Sequence, residues 1–247
     1  MKIKTLLGAV ALTTTLAISA TADVIINETF TYSNGALTGN AAWDAHSGTV
    51  GQIGVVGGAI TLSDSNSEDV NTTFTPVTSG TLYASFDMSV ADPISYTGND
   101  YEYFAHFKDD GFDYMSRVDI AAFSAIGYSL GLSQSSTAEI VSSTILSYGT
   151  SYSVVIGFDF TSGLSTLWID PTSAADSNIT TSAVDSANDI SAFAFRQGSS
   201  SPDQEITIDN LIVATTFAEA VPEPNTYALL AGVLALASVM LRRRSVK

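Results

Sequence analysis

Apolar and polar residues alternate along most of the chain with the period of a β-strand. In TLYASFDMSV, residues 81–90, Leu82, Ala84, Phe86, Met88 and Val90 fall on one face and Tyr83, Ser85, Asp87 and Ser89 on the other. That is the pattern of a strand with one face buried. The same period predicts strands over 24–30, 101–107, 125–132, 152–160, 165–169, 190–196 and 205–213, while nothing between residues 23 and 221 carries a helical period. Asn34-Gly35, Gly57-Gly58, Asp110-Gly111 and Ser162-Gly163 punctuate the runs as turns. Many short strands separated by glycine turns predict an all-β body of two packed antiparallel sheets.

Both ends break the pattern. At the N-terminus Lys2 and Lys4 precede a largely apolar stretch, 6–18, closed by the small residues Ala20 and Ala22. This order predicts a secretory signal peptide over 1–22 with cleavage after Ala22; the apolar core is too short, and too broken by threonine, for a retained anchor. At the other end YALLAGVLALASVML, residues 227–241, is uncharged and is followed by Arg242, Arg243 and Arg244. A helix of that length covers about 22 Å of a hydrocarbon layer about 30 Å thick. Asn225, Thr226 and snorkelling arginines extend its reach, so a single span is expected. The arginines hold the stub 242–247 in the cytoplasm, with the body exported.

Between body and span runs a linker, 218–226, in which Pro222 and Pro224 bracket Glu223. Proline disfavours helix here and leaves an extended segment that a protease can read. Pro-Glu-Pro, apolar helix and arginine cluster, in that order at the C-terminus, resemble the PEP-CTERM sorting signal of Gram-negative bacteria. The resemblance implies that Pro222, Glu223 and Pro224 are read by an exosortase-type processing enzyme. It further implies that the helix is a transient inner-membrane anchor, and that the body goes on to the cell surface or to an extracellular matrix rich in exopolysaccharide, or biofilm.

Along the body the pieces LYASFDMSV, YEYFAHFKDDG, SRVDIA, YSLGLS, GTSYSVVIGFDFTSGLSTLWIDP, ISAFAFRQG and ITIDNLIVATTF resemble, in order, the strands of concanavalin A-like and laminin-G-like jelly rolls. The resemblance implies one jelly-roll β-sandwich over 23–217. Within it Trp168 is expected in the core, and Arg196 is expected to pair with a carboxylate.

Charge narrows the partners. Between residues 23 and 221 only Lys108, Arg117 and Arg196 are basic, against 24 of the 25 acids, a net charge of −21. Such a body repels nucleic acid and anionic lipid. With no cysteine, an exported domain must stand on packing, or on packing plus bound ions.

Chemistry is sparse. A cysteine nucleophile is excluded. His46, in a Gly/Ser-rich stretch expected as loop, and His106, expected as a satisfied or exposed strand histidine, make no zinc motif. None of Glu28, Glu68, Glu102, Glu139, Glu205 and Glu219 begins the E-x-D-x-x-E spacing that would put a retaining glycosidase pair on one strand, although acids of separate strands could still converge. Two acidic loops, Asp109-Asp110-Gly-Phe-Asp113 first and Asp64-Ser-Asn-Ser-Glu68-Asp69 second, offer hard oxygen ligands for a structural calcium, or are plain solvated turns. The Ser/Thr-rich stretches 133–137 and 172–186 read as polar loops. The expectation is a non-enzymatic surface or matrix protein. Carbohydrate binding, through exposed-face aromatics such as Tyr101 and Tyr103, is the second reading, and a glycoside hydrolase on the same fold the third.

Overall fold

In the computed structural model the described residues are 23–40, 42–93, 103–134, 140–182, 189–198 and 205–221. The expectations for Ala20, Ala22, Tyr101, Pro222, Glu223, Pro224 and Arg242–Arg244 therefore lie outside them. Among the described residues no helix is long and apolar enough to cross a membrane.

The strands are β1 (Val24–Glu28), β2 (Gly35–Ala36), β3 (Trp43–Ser47), β4 (Gly54–Val56), β5 (Ala59–Ser63), β6 (Asp69–Val77), β7 (Thr81–Val90) and β8 (Tyr103–Lys108). They continue as β9 (Tyr114–Ser124), β10 (Gly127–Ser133), β11 (Ile140–Val141), β12 (Tyr152–Asp159), β13 (Leu164–Ile169), β14 (Asn178–Thr180), β15 (Ile190–Arg196) and β16 (Glu205–Ala214). One helical turn, α1 (Phe217–Ala220), closes the body. Two antiparallel sheets result. One runs β14-β13-β12-β7-β16-β5-β4-β2, with β1 also on β16, and the other runs β11-β10-β9-β8-β15-β6-β3.

The alternation in β7 is observed as read: Leu82, Ala84, Phe86, Met88 and Val90 are all buried. Phe86 joins the sheets, its ring 5.8–6.2 Å from those of Phe104, Phe193 and Phe195. Each such ring taken from water contributes about 1.5–3 kcal/mol. Trp43 stacks on Phe195 at 5.9 Å and donates its Nε1–H to Glu28 Oε2 at 3.0 Å. Gly57 and Gly58, at φ 63° and 89°, form the two-residue turn between β4 and β5, a geometry that asks for positive φ at both positions.

Several sequence expectations change. His46 lies in a strand, β3, because Trp43 anchors that segment in the core. Trp168 is only 7% exposed, yet it packs outside the space between the sheets, against Tyr83 and Phe217 on the outer face of the nine-stranded sheet. Its Nε1–H is satisfied by Ala174 O at 3.3 Å. That patch exists because α1, in a stretch expected as strand end and linker, lies over β7, where Ser85 Oγ donates to Ala220 O.

Candidate functional site

Strict alternation would scatter the few cations of this body over both faces of their strands. Three local irregularities in the seven-stranded sheet bring them together. In β8 the register with β9 slips between Tyr103 and Ala105, so Phe104 and Ala105 both turn to the core and Tyr103 joins His106 and Lys108 on the outer face. In β9 an extra residue at Ser116, φ 54°, follows the core residue Met115 and itself faces inward, its Oγ 2.7 Å from Ser165 Oγ. Arg117 is thereby turned outward beside Tyr114. The third slip, between Ala45 and Ser47 in β3, falls at His46. Bulges of this kind re-aim side chains.

Lys108, Arg117 and Arg196, the three cations between residues 23 and 221, thus converge with both histidines on one face. The Arg117 guanidinium lies 4.7 Å from the Tyr103 ring centre and 5.2 Å from that of Tyr114, while Arg196 lies 4.5 Å from Tyr103. The Tyr114 ring is 4.4 Å from His106 and 6.3 Å from His46. Those histidines stand on strands separated by β15 and β6, and the outward residues of β15 beside them, Ala192 and Ala194, are small enough for rings to lean across. Phe112, at the tip of the β8–β9 hairpin, is 72% exposed and its ring is 6.3 Å from His46.

Electrostatics on this face are unusual for a protein interior. His106 is fully buried, and neither ring nitrogen has a hydrogen-bond partner among the described residues; the same holds for both nitrogens of His46 and for Arg117 Nε. The expectation of a satisfied or exposed His106 is thus corrected. Burial, reinforced by His46, Arg117, Lys108 and Arg196, pushes His106 well below the ordinary imidazole range. Burial and the Lys108 charge bring His46 down to about 4. Both rings are neutral at pH 7. Burial also lowers Lys108, whose Nζ donates to Asp109 O at 2.8 Å. Arg196 finds its expected carboxylate, with Nε 3.8 Å from Asp69 Oδ1. Tyr103, expected to be exposed, is half-buried between the two guanidinium groups.

The acidic loops have structural duties. Asp109 Oδ1 accepts the N–H groups of Gly111 at 2.9 Å and Asp113 at 3.0 Å, shaping the hairpin that carries Phe112. Among the described residues no three His, Asp or Glu gather to hold a metal. In the second loop Glu68 is fully buried and accepts from Gly51 N at 2.8 Å and Ile53 N at 2.5 Å. Asp69 accepts from Ser47 Oγ at 2.5 Å. On the opposite sheet Asp87 and Asp209 face each other across β7 and β16, with Asn210 Nδ2 on Asp87 at 2.9 Å. Burial, then repulsion from Asp87 and Glu28, raises Asp209 against the lowering effect of the Asn210 N–H.

A second concavity, about 300 Å³, opens where the β11 end of one sheet meets the β14 edge of the other. Ser142, Thr144, Ile145, Tyr152, Asp170 and Asn178 are among its walls. It carries no cation.

No family model and no curated protein matches the chain. Solved structures do. Basic winged bean lectin with Tn-antigen aligns over 78% of this chain and 98% of its own, with a TM-score of 0.53 at 11% identity. Peanut lectin with a nine-residue peptide aligns over 79% and 97%, with a TM-score of 0.51 at 13% identity. A sialidase aligns over 72% of this chain but only 17% of its own length, with a TM-score of 0.49 at 15% identity. At such identities the likeness is one of fold: the chain is all-β, two antiparallel sheets in a lectin-like jelly roll.

Proposed function

We propose that the body is a carbohydrate-binding module, with its site on the outer face of the seven-stranded sheet around Tyr103, Tyr114 and Phe112. The observation that carries this reading is the assembly, by three strand irregularities, of aromatic rings and unpartnered polar nitrogens on one face. Aromatic rings stack on the apolar faces of sugars, and buried polar groups without partners are costly unless something binds them. Jelly-roll neighbours solved with a ligand bound, such as basic winged bean lectin with Tn-antigen, lend support at the level of fold. Binding, rather than hydrolysis, fits a face whose neighbours in fold are lectins.

Retention of the purified protein on immobilised neutral and acidic polysaccharides tests the reading. The wild type is retained on at least one, and Tyr114→Ala with Phe112→Ala is not; no retention on any polysaccharide, with or without calcium, refutes it.

Delivery is part of the same proposal: a surface or matrix protein exported by residues 1–22 and sorted through Pro222, Glu223 and Pro224 by an exosortase-type enzyme. The sequence order at the C-terminus supports it. Intact mass of the mature protein from its native host, beside a variant with all three motif residues changed to alanine, tests it. Loss of everything after the motif in the wild type alone is expected; retention of 227–247 in both refutes the sorting reading.

A further inference from the structure

Cations are scarce in this body, and their placement costs energy. Arg117 and Arg196 approach one ring, Tyr103, from 4.7 Å and 4.5 Å, and Lys108 is buried close enough to act on both histidines. Like charges gathered in a partly desolvated site repel one another strongly. Asp69 lies against Arg196, Asp119 stands opposite Tyr103 on β9, Asp44 on β3 shares the cross-strand row of His106, and Asp109 and Asp110 act on Lys108. The three cations between residues 23 and 221, in a body of net charge −21, are nonetheless all gathered on this one face. Beside them lie five polar atoms without a hydrogen-bond partner among the described residues: the ring nitrogens of His46 and His106, and Arg117 Nε. His106 is wholly buried and its ring is aimed into the cluster, 4.4 Å from Tyr114 and 5.3 Å from Tyr103. A group with anionic acceptor oxygens gives these unpartnered nitrogens, and the guanidinium groups beside them, a partner. Planar guanidinium groups suit a carboxylate or a sulfate, and tyrosine rings suit the sugar that carries it.

We infer that the ligand of this face is an acidic saccharide, its carboxylate or sulfate seated between Arg117, Arg196 and Lys108 and hydrogen-bonded to His106. The inference rests on the carbohydrate-binding reading above and adds the ligand class. It also gives the acidic body a role in selectivity. A surface of net charge −21 repels polyanions everywhere else, so an acidic glycan is held only where this face turns inward to it.

The test is a retention and titration series on the full purified protein. The probes are polygalacturonate, alginate, hyaluronate and dextran sulfate, each beside its methyl-esterified or desulfated counterpart, together with neutral dextran, xylan and cellulose. Expected is binding to at least one acidic member that weakens at least tenfold when its charge is removed. A further loss of at least tenfold is expected in Arg117→Gln, with no change in Asn178→Trp, which fills the separate cleft. Carboxylated and sulfated arms distinguish the two forms of the acidic group. The ester comparison uses wild-type protein, so it stands even if Arg117→Gln folds poorly. Equal binding to charged and neutralised forms, or retention on neutral glycans alone, overturns this inference while leaving the carbohydrate-binding reading intact. Loss of acidic-glycan binding in Asn178→Trp but not in Arg117→Gln overturns it as well. Retention on nothing overturns both.

Discussion

Replacing His106 by phenylalanine removes a buried imidazole that the fold keeps neutral, and the consequence is a change in how stability depends on pH. The folded protein holds His106 far below its ordinary range, by burial first and then by His46, Arg117, Lys108 and Arg196. The unfolded chain binds a proton there at about pH 6.5. Above that pH neither state is protonated at this site and its contribution to the pH dependence is nil. Below it the unfolded state takes up a proton that the folded state refuses, so stability falls as pH falls, by about 1.4 kcal/mol per pH unit. Between about pH 7.5 and pH 5 this one residue should cost the wild type about 2 kcal/mol. For a body of this size that is roughly 4–8 °C in Tm. The groups facing His106 are Tyr103 and Lys108 on its own strand, Tyr114 and Arg117 on β9, Arg196 on β15 and His46 on β3. None is removed in His106→Phe, so subtracting the two curves cancels their titration. At neutral pH the variant should be at least as stable as the wild type, since two ring nitrogens without partners leave the interior. Urea unfolding followed by circular dichroism across this range gives both curves. Parallel curves refute the argument, because they would mean that His106 is satisfied or solvated in the folded protein.

Other consequences follow from packing and hydrogen bonding. Glu68→Ala strands the Gly51 and Ile53 N–H groups in the interior, and thermal unfolding should register a loss of about 2–6 kcal/mol; a loss under about 1 kcal/mol contradicts the role given to Glu68. Gly48→Ala should cost more than about 2 kcal/mol and lower the yield of folded protein. An added Cβ there lies 1.7 Å from Ser67 O, on backbone at φ 74°. Asp209→Asn removes a carboxyl held above its ordinary value by burial and by Asp87 and Glu28. Such a group weakens the fold as pH rises through its titration, so the substitution should raise Tm at pH 7 and leave it unchanged near pH 3, by scanning calorimetry.

What was legible in the sequence follows from where alternation is unbroken. Strands β7 and β12 carry apolar residues at every second position and are read directly; β13, β15 and β16 are read from shorter alternating runs, with β16 changing phase between Ile208 and Leu211. Strand β6 is not read, because Asp69, Asn71 and Thr72 are buried polar residues that mimic a loop. Strand β9 shows no clean period because of the extra residue at Ser116 and is reached only as the piece SRVDIA through the resemblance, while β3 is hidden by having a single core anchor, Trp43. The site was illegible for the same reason: its members share a face only because bulges shift the phase in β3, β8 and β9. One signal could have pointed to it. Lys108, Arg117 and Arg196 are the sole cations of a highly acidic body, and all three sit in or beside runs read as strand. Glu68 looked like a calcium ligand in a loop, whereas its oxygens are consumed by backbone donors brought in from 15 and 17 residues upstream.

The most direct measurement is a crystal structure of the protein with an oligosaccharide cut from whichever polysaccharide retains it. The account predicts sugar density against Tyr103, Tyr114 and Phe112 on the outer face of the seven-stranded sheet, with an acidic group between Arg117 and Arg196. Density in the cleft beside Asn178 and Tyr152, with the histidine face empty, would contradict it.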